Sequence, residues 1–331
     1  MKKPILLFTI IILLTAGDLL AQRVLVISGG GARGAWGGGV AQGLCELDGR
    51  TYEGVIGTST GSLLMPLVAL KDYDRLKTAY TTTRPKDIFS RNPFKKNGEL
   101  KQFCAFIRIL FGSKNLGESK RLRKRLDRFF TATDYQKIKD DSLTIMATVV
   151  SLTENKVETK SSNNETYSDM GDWIWASANQ PVFMSTLQKD GEQWVDGGLK
   201  DNVAIDAAIE YALQHNIDSI DVIVNNVEEP PRTRWTKKRI IPKLLRTVEI
   251  LTGDVLENDL SKGQLSADAN GIILSVYFMT QDQYELAPLS LVFDRDKMLQ
   301  LWNEGFNCVK DERLHKYQYQ VESDGTLREM K

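Results

Sequence analysis

The segment VIGTSTGSLLM, Val55–Met65, decides the fold predicted for this chain. An apolar run enters the Gly-x-Ser-x-Gly turn Gly57–Gly61, and a second apolar run leaves it. This pattern predicts a nucleophile elbow, in which a buried strand ends, the chain reverses at Ser59 and a helix begins at once. Gly57 and Gly61 are needed because strand and helix approach without room for Cβ atoms, and Ser59 is expected in a strained backbone conformation. Its hydroxyl would project at a helix N-terminus, where developing negative charge is favoured.

A second glycine-rich turn lies upstream of the elbow. Val24–Ile27 is short and continuously apolar, which is typical of a buried parallel strand. A helix is predicted over about Val40–Leu47. Strand, glycine loop and helix together predict a cradle of backbone amides for an anion. The loop between strand and helix consists of Gly29, Gly30, Gly31, Ala32, Arg33 and Gly34.

The same glycine spacing has a second interpretation. Gly29, Gly31 and Gly34 fit the fingerprint of a dinucleotide-binding loop. Such a site needs an acidic residue at the end of the second strand, about twenty residues further on. Here the second strand, Gly54–Ile56, leads into the elbow instead, so a nucleotide-binding oxidoreductase is disfavoured.

A third glycine turn follows a strand-like approach at Trp194 and Val195 and reads Asp196, Gly197, Gly198. A serine nucleophile needs a base for its proton and amide donors for the oxyanion that forms at the substrate carbonyl. Asp196 is the better candidate base, although burial would have to raise its basicity.

Histidines offer the alternative base. His215 stands at a polar helix end, and His315 lies in a charged tail. Neither belongs to a glycine turn, so a Ser-His-Asp triad is poorly supported, although His315 does come last in the chain order that a hydrolase triad requires.

Composition places the chain among ordinary globular proteins. It has 331 residues, 42% hydrophobic and 26% charged, with a formal net charge of zero. One α/β domain is the economical reading, and nothing points to a nucleic-acid partner. The three cysteines are widely separated, which argues against a disulfide scaffold or a zinc site. No metal or organic cofactor is expected, and there is no calcium-loop pattern.

The N-terminus predicts export. Two lysines precede the apolar block Ile5–Leu14, and small residues follow, as in a secretory signal peptide. We expect a signal peptide over 1–21, one domain over 22–310 and a polar, frayed tail over 311–331. The protein would then be periplasmic or secreted. An uncleaved anchor and a buried first element are the alternatives.

Two basic segments suggest a peripheral membrane contact. Glu118–Phe130 combines an apolar stripe with six cations, and Arg232–Arg246 adds seven cations beside Trp235. A basic amphipathic helix can lie on an anionic membrane. The competing interpretation, favoured for Glu118–Phe130, is a helix with its stripe on the core and its charges in solvent.

Taken together, the three turns resemble the patatin-like phospholipase family. Gly29–Gly34 is similar to the family's oxyanion loop, Gly57–Gly61 to its nucleophile elbow and Asp196–Gly198 to the turn of its dyad aspartate. Ala176–Phe183, ASANQPVF, resembles the segment before that aspartate. The similarity covers about residues 23–225 and is thinner afterwards.

This resemblance implies a three-layer α/β/α fold with a mainly parallel central sheet. It also implies a serine acyl-ester hydrolase of the phospholipase A or lysophospholipase type, acting on phospholipids or other lipid esters. Ser59 would be the nucleophile and Asp196 the base. Amides of Gly30, Gly31 and Ala32–Arg33 would bind the oxyanion, with the Arg33 side chain bracing the loop. The alternative is a catalytically silent protein of this fold that binds lipid or a partner.

The chain departs from the family pattern at three positions. Thr60 stands where a small Ala is usual, Pro66 interrupts the helix after the elbow and Ala204 replaces a common proline. None of these changes removes a catalytic group.

Overall fold

A computed structural model describes residues 22–95, 99–228, 240–317, 319–321 and 327–329. The expected signal peptide, 1–21, lies outside the described residues. The basic segment Arg232–Arg246 also lies outside them as far as residue 239.

Eleven strands are described along the chain. They are β1 (Gln22–Ile27), β2 (Thr51–Thr58), β3 (Thr144–Ser151), β4 (Lys156–Ser161), β5 (Leu187–Lys189), β6 (Glu192–Asp196), β7 (Ser219–Val224), β8 (Ile273–Phe278), β9 (His315–Tyr317), β10 (Tyr319–Val321) and β11 (Leu327–Glu329).

Twelve helices are described, and the first begins at the last residue of the glycine loop. They are α1 (Gly34–Glu46), α2 (Thr60–Ala69), α3 (Tyr73–Thr81), α4 (Pro85–Ile88), α5 (Gln102–Leu110), α6 (Lys120–Phe129), α7 (Ala132–Asp140), α8 (Tyr167–Ser177), α9 (Ile205–His215), α10 (Ile240–Ala269), α11 (Gln281–Leu286) and α12 (Arg295–Lys310). Two short 3-10 turns, Gly31–Arg33 and Gly197–Leu199, occupy the first and third glycine motifs.

The main sheet has the strand order β5-β6-β3-β2-β1-β7-β8-β9, with β4 paired to β3. Its central strands β3, β2, β1, β7 and β8 are parallel, and the pairs at both edges are antiparallel. The predicted mainly parallel sheet is therefore confirmed. The strand order reverses around β1, so the loops after β1 and β2 leave the same edge at the switch point, where such folds form their sites.

Alternation along β1 shows how the sheet is covered. Leu25 and Ile27 join a buried cluster with residues of α1, α2, α8 and α12, whereas Val24 and Val26 join one with residues of α9 and α10. Successive side chains of a strand point to opposite faces, so helices lie on both sides. The predicted three-layer α/β/α arrangement is confirmed.

A third apolar cluster (the cap cluster) is built from the segment between β2 and β3 and from residues that follow α8. It includes Phe94, Leu100, Ala105, Leu122 and Phe183. The apolar stripe of α6 faces inward, since Leu122 and Leu126 are both only 7% exposed. The interpretation of α6 as a core-facing helix is therefore confirmed, and its stripe is not available to a membrane.

The start of the polar tail is ordered. His315–Tyr317 pairs antiparallel with β8 and forms the last strand of the sheet. The expectation of a frayed segment is wrong at this point, because an uncovered β8 would expose unpaired backbone donors and acceptors and β9 satisfies them. None of the helices in the described ranges is long and apolar enough to cross a membrane.

Candidate active site

The elbow has the geometry that the sequence predicts. β2 ends at Thr58, α2 begins at Thr60, and Ser59 between them has φ 55° and ψ −118°. A positive φ is strained for a residue with a side chain. A Cβ on Gly57 would lie 2.3 Å from the carbonyl carbon of Gly61, so strand and helix pack here as only glycine permits.

Hydrogen bonds hold the backbone of Ser59 on both sides. Its N–H donates to Oγ of Ser177 over 3.0 Å, and its carbonyl accepts from Oγ of Ser62 over 2.6 Å. These bonds stabilise the strained turn. The sequence analysis gives no role to either serine. The one signal for Ser177 is that it belongs to the ASANQPVF segment.

Asp196 lies within hydrogen-bonding distance of the elbow serine. Oγ of Ser59 donates to Oδ2 of Asp196 over 2.7 Å, and the amide of Gly198 donates to Oδ1 over 2.8 Å. Asp196 is the last residue of β6, and its own amide donates to the carbonyl of Asn179 over 3.1 Å. The structure thus brings together the two residues that the sequence singled out, although they lie 137 positions apart.

The carboxyl group of Asp196 is buried, with only 8% of the residue exposed. Burial raises its pKa to about 6 because the charged form loses its water, while the hydrogen bonds from Ser59 and Gly198 act in the opposite direction. Within the described ranges no Lys or Arg forms an ion pair with it. A carboxylate with this pKa is a stronger base than an exposed one and is still mostly ionised at neutral pH.

The glycine loop supplies fewer free amides than the sequence suggested. Four of its six N–H groups already have acceptors: Gly29 donates to Oδ1 of Asn202 (3.1 Å), Ala32 to Ser290 O (2.7 Å), Arg33 to Gly30 O (3.2 Å) and Gly34 to Ala32 O and Gly31 O. The amides of Gly30 and Gly31 have no acceptor in the part of the chain that the structure describes. The predicted donor set is therefore narrowed to these two residues.

Several side chains hold the loop in place. Oγ1 of Thr60 donates to the carbonyl of Gly31 over 3.0 Å, and the hydroxyl of Tyr80 contacts the same carbonyl and Thr60. The Arg33 guanidinium lies 4.9 Å from the ring centroid of Tyr284, which agrees with its expected bracing role. Thr60, the departure from the usual Ala, thus ties the elbow helix to the oxyanion loop.

Neither histidine lies near the serine. His215 is 3.9 Å from Glu53, which precedes Ser59 by six residues along β2, so roughly 20 Å separates it from the serine at about 3.3 Å per residue. The backbone of His315 pairs with Phe278 of β8. His315 therefore lies in β9, four strand spacings from β2 in the sheet order, which is about 19 Å at about 4.8 Å per spacing. The geometry therefore offers Ser59 an aspartate and no histidine.

A cavity of about 960 Å³ opens onto Ser59 and Asp196. Gly30 and Gly31 also line it, so their amides belong to the same space. Beyond the polar end the wall is mainly apolar, formed by side chains of α2, α3, α6 and the cap cluster: Leu63, Leu67, Leu76, Ile88, Phe94, Leu122, Leu126, Phe129, Phe130, Phe183 and Met184.

The described residues contain no group of three or more His, Cys, Asp or Glu side chains arranged to bind an ion. The side chains that contact Ser59 are instead the carboxylate of Asp196 and the hydroxyls of Ser62 and Ser177.

Fold and site together define an α/β/α protein with an elbow serine hydrogen-bonded to a buried aspartate beside a glycine loop. The family model described as patatin-like phospholipase matches residues 25–209, more than half of the chain. This chain belongs to the patatin-like phospholipase family, whose members are typically lipid acyl hydrolases.

Among solved structures, the chain is similar to VipD from Legionella pneumophila. The identity is 14%, the match covers 90% of this chain and 68% of that one, and the TM-score is 0.41. No curated protein gives a significant match.

Proposed function

We propose that the protein is a serine acyl-ester hydrolase of the phospholipase A or lysophospholipase type that works with a Ser59–Asp196 dyad. The observation that carries this proposal is the 2.7 Å hydrogen bond between the elbow serine and a buried carboxylate that has no cationic partner among the described residues. It occurs in a cavity whose remaining wall is mainly apolar. Family membership supports lipid acyl hydrolysis as the class of reaction.

In the proposed first step, Oγ of Ser59 attacks the ester carbonyl and Asp196 accepts its proton. The oxyanion is stabilised by the amides of Gly30 and Gly31 and by the N-terminus of α2, which begins one residue after the serine. The C–O bond of the ester then breaks, and protonated Asp196 gives its proton to the leaving alcohol. An acyl-enzyme on Ser59 remains.

In the proposed second step, Asp196 takes a proton from water, and the resulting nucleophile attacks the acyl-enzyme. The same amides stabilise the second oxyanion. Collapse releases the fatty acid and returns the proton to Ser59. A carboxyl with a pKa of about 6 suits both transfers, because it can accept and return a proton near neutral pH.

The cavity favours a lipid over a small polar ester. A volume of about 960 Å³ lies in the upper range of ligand pockets, and its wall beyond the dyad is mainly apolar, with Leu, Ile, Met and Phe side chains. Burying an acyl chain there contributes about 0.8 kcal/mol per CH₂ group. We therefore propose lipid esters with long acyl chains as substrates.

A fluorophosphonate probe tests the proposal. The probe phosphonylates a serine only where a base and an oxyanion site activate it. We expect stoichiometric labelling of the wild-type protein and none of Ser59→Ala, with Ser168→Ala, at an exposed serine of α8, as the matched control that keeps Ser59. Absence of labelling in a well-folded wild-type protein would contradict the proposal and favour a silent lipid-binding protein.

A further inference from the structure

Helix α5 carries an exposed apolar face. Phe103 and Phe106 are 77% and 60% exposed, and Phe111, directly after the helix, is 77% exposed. Ile109 and Leu110 are exposed to a similar degree. Soluble proteins rarely expose large apolar side chains in such a contiguous group without a binding role.

The inner face of α5 is anchored. Ala105 is 3% exposed and packs in the cap cluster with Phe94 and Leu100. At 100° per residue, Phe103 and Phe106 lie on the other side of the helix from Ala105. The helix is therefore fixed to the protein by one side and presents aromatic residues to solvent on the other.

Positive charge lies near this aromatic face along the chain, at the exposed Lys114 and on α6. Helix α6 shares the cap cluster with α5 through Leu122 and turns its opposite side to solvent. Four exposed cations stand there, and none of them forms an ion pair with a described carboxylate: Lys120, Arg121, Lys124 and Arg128. Aromatic side chains beside unpaired cations match the boundary between anionic lipid headgroups and acyl chains.

The cluster that anchors α5 also lines the active-site cavity. Ile88, Phe94, Leu122, Phe183 and Met184 belong to the cap cluster and also line the cavity. The packing that holds α5 through Ala105 therefore forms part of the wall of the space in front of Ser59. A lipid surface at α5 would be adjacent to the cavity wall through which an acyl chain is buried.

We propose that α5 docks the protein on an anionic lipid surface, with Phe103, Phe106 and Phe111 inserted at the headgroup boundary and the cations of α6 on the headgroups. The proposal rests on the proposed function for its purpose, namely access to a lipid substrate. A second copy of the chain is a poorer occupant. In a symmetric dimer the same surfaces face each other, and the unpaired cations of α6 would be brought together.

Vesicle sedimentation tests the docking surface without using catalysis. The probes are phosphatidylcholine vesicles with and without phosphatidylglycerol. The triple variant Phe103→Ser, Phe106→Ser, Phe111→Ser should bind the anionic vesicles at least about tenfold more weakly, because even one buried Phe is worth about that factor. The matched control replaces Leu47, Leu152 and Leu213, which are 47%, 48% and 49% exposed on other elements, with Ser.

Cys104 provides a direct measure of insertion. It is exposed beside Phe103, whereas Cys308 is buried. An environment-sensitive dye on Cys104 should shift to the blue when anionic vesicles are added, and this shift should be absent from protein labelled after Cys104→Ser. An unshifted dye on protein that sediments with vesicles would overturn insertion at α5.

The remaining outcomes separate the two proposals. Wild-type binding by the triple variant, or equal loss in the leucine control, would overturn docking at α5. A wild-type dimer that the triple variant converts to monomer, with vesicle binding unchanged, would assign the face to a second copy. The triple variant should hydrolyse a soluble short-chain ester like the wild type. If the wild type hydrolyses none but binds through α5, docking stands and the hydrolase proposal fails.

Discussion

Two buried aspartates of this protein have opposite surroundings. Asp196 has hydrogen bonds from a serine hydroxyl and a backbone amide, and no cation pairs with it among the residues described. Asp221 in β7 is fully buried and receives the guanidinium groups of Arg23 at 2.8 Å and Arg50 at 2.7 Å. The hydroxyl of Tyr52 adds a hydrogen bond at 2.9 Å.

This difference in surroundings indicates a different role for each carboxylate. Asp221 lies between two guanidinium groups, so its negative charge is compensated inside the fold. Asp196 is desolvated without such compensation, which raises its pKa to about 6 and keeps it basic. Asp221 joins β1, β7 and the start of β2 at the core of the fold, whereas Asp196 stands beside the nucleophile. One is suited to stability and the other to chemistry.

Asp196→Asn is the change with the largest expected effect. Asn keeps the shape and can accept the Gly198 amide, but it cannot take the proton of Ser59. We expect ester hydrolysis to fall by about 10³–10⁴ with the fold unchanged, as measured by kcat/KM and circular dichroism. Near-wild-type hydrolysis by a folded Asp196→Asn protein would show that the base lies elsewhere.

Asp221→Asn should have the converse effect. It removes the shared counter-charge of the partly buried Arg23 and Arg50 and leaves Arg50 with Asp48 alone, and breaking such a buried pair typically costs about 3–5 kcal/mol of unfolding free energy. Urea denaturation measures this loss, and the kcat of protein that is still folded at low temperature should be unchanged. A stable but inactive Asp221→Asn variant would contradict the division of roles.

The pH dependence of hydrolysis sharpens the comparison further. Below the Asp196 pKa of about 6, each pH unit should lower kcat/KM about tenfold, because the base becomes protonated. Rates on a soluble ester between pH 4 and 8 provide the measurement. A profile that stays flat down to pH 4 would mean that the folded-state pKa of the essential base is not raised.

The raised pKa of Asp196 also makes the free energy of unfolding depend on pH, in a direction that can be predicted. In the unfolded chain an Asp titrates near 3.9, so between about pH 4 and 6 the folded state holds the proton more tightly. Stability from this group is present below pH 4, is lost as the pH rises to about 6 and is constant above that. The difference between a pKa near 3.9 and one of about 6 corresponds to at most about 3 kcal/mol of unfolding free energy. The stability of Asp196→Asn relative to the wild type should therefore rise across this window.

The sequence revealed the site better than it revealed its surroundings. The elbow, the glycine loop and Asp196 were predictable because each is a local turn with its own spacing. The Asp221 network was not, since its partners Arg23, Arg50 and Tyr52 come from distant positions and no local pattern links them.

Two further features depend on tertiary contacts. The amide of Ala32 is engaged by the carbonyl of Ser290, a residue 258 positions away that no local pattern could have pointed to. The exposed face of α5 is the second feature, because only the packed structure shows that Phe103 and Phe106 are 77% and 60% exposed.

The smallest expected effect is that of the histidine variants. His215 stacks on Tyr211 with ring centroids 3.8 Å apart and lies roughly 20 Å from Ser59. His315 lies in the edge strand β9, about 19 Å from the strand that leads to Ser59. We expect kcat/KM of His215→Ala and His315→Ala to match the wild type within error, with His215→Ala slightly less stable because the stacked pair is lost. Loss of activity in a folded His315→Ala protein would restore a triad. Asp196 would then orient a histidine as an anion, and its contrast with Asp221 would no longer be one between a base and a structural charge.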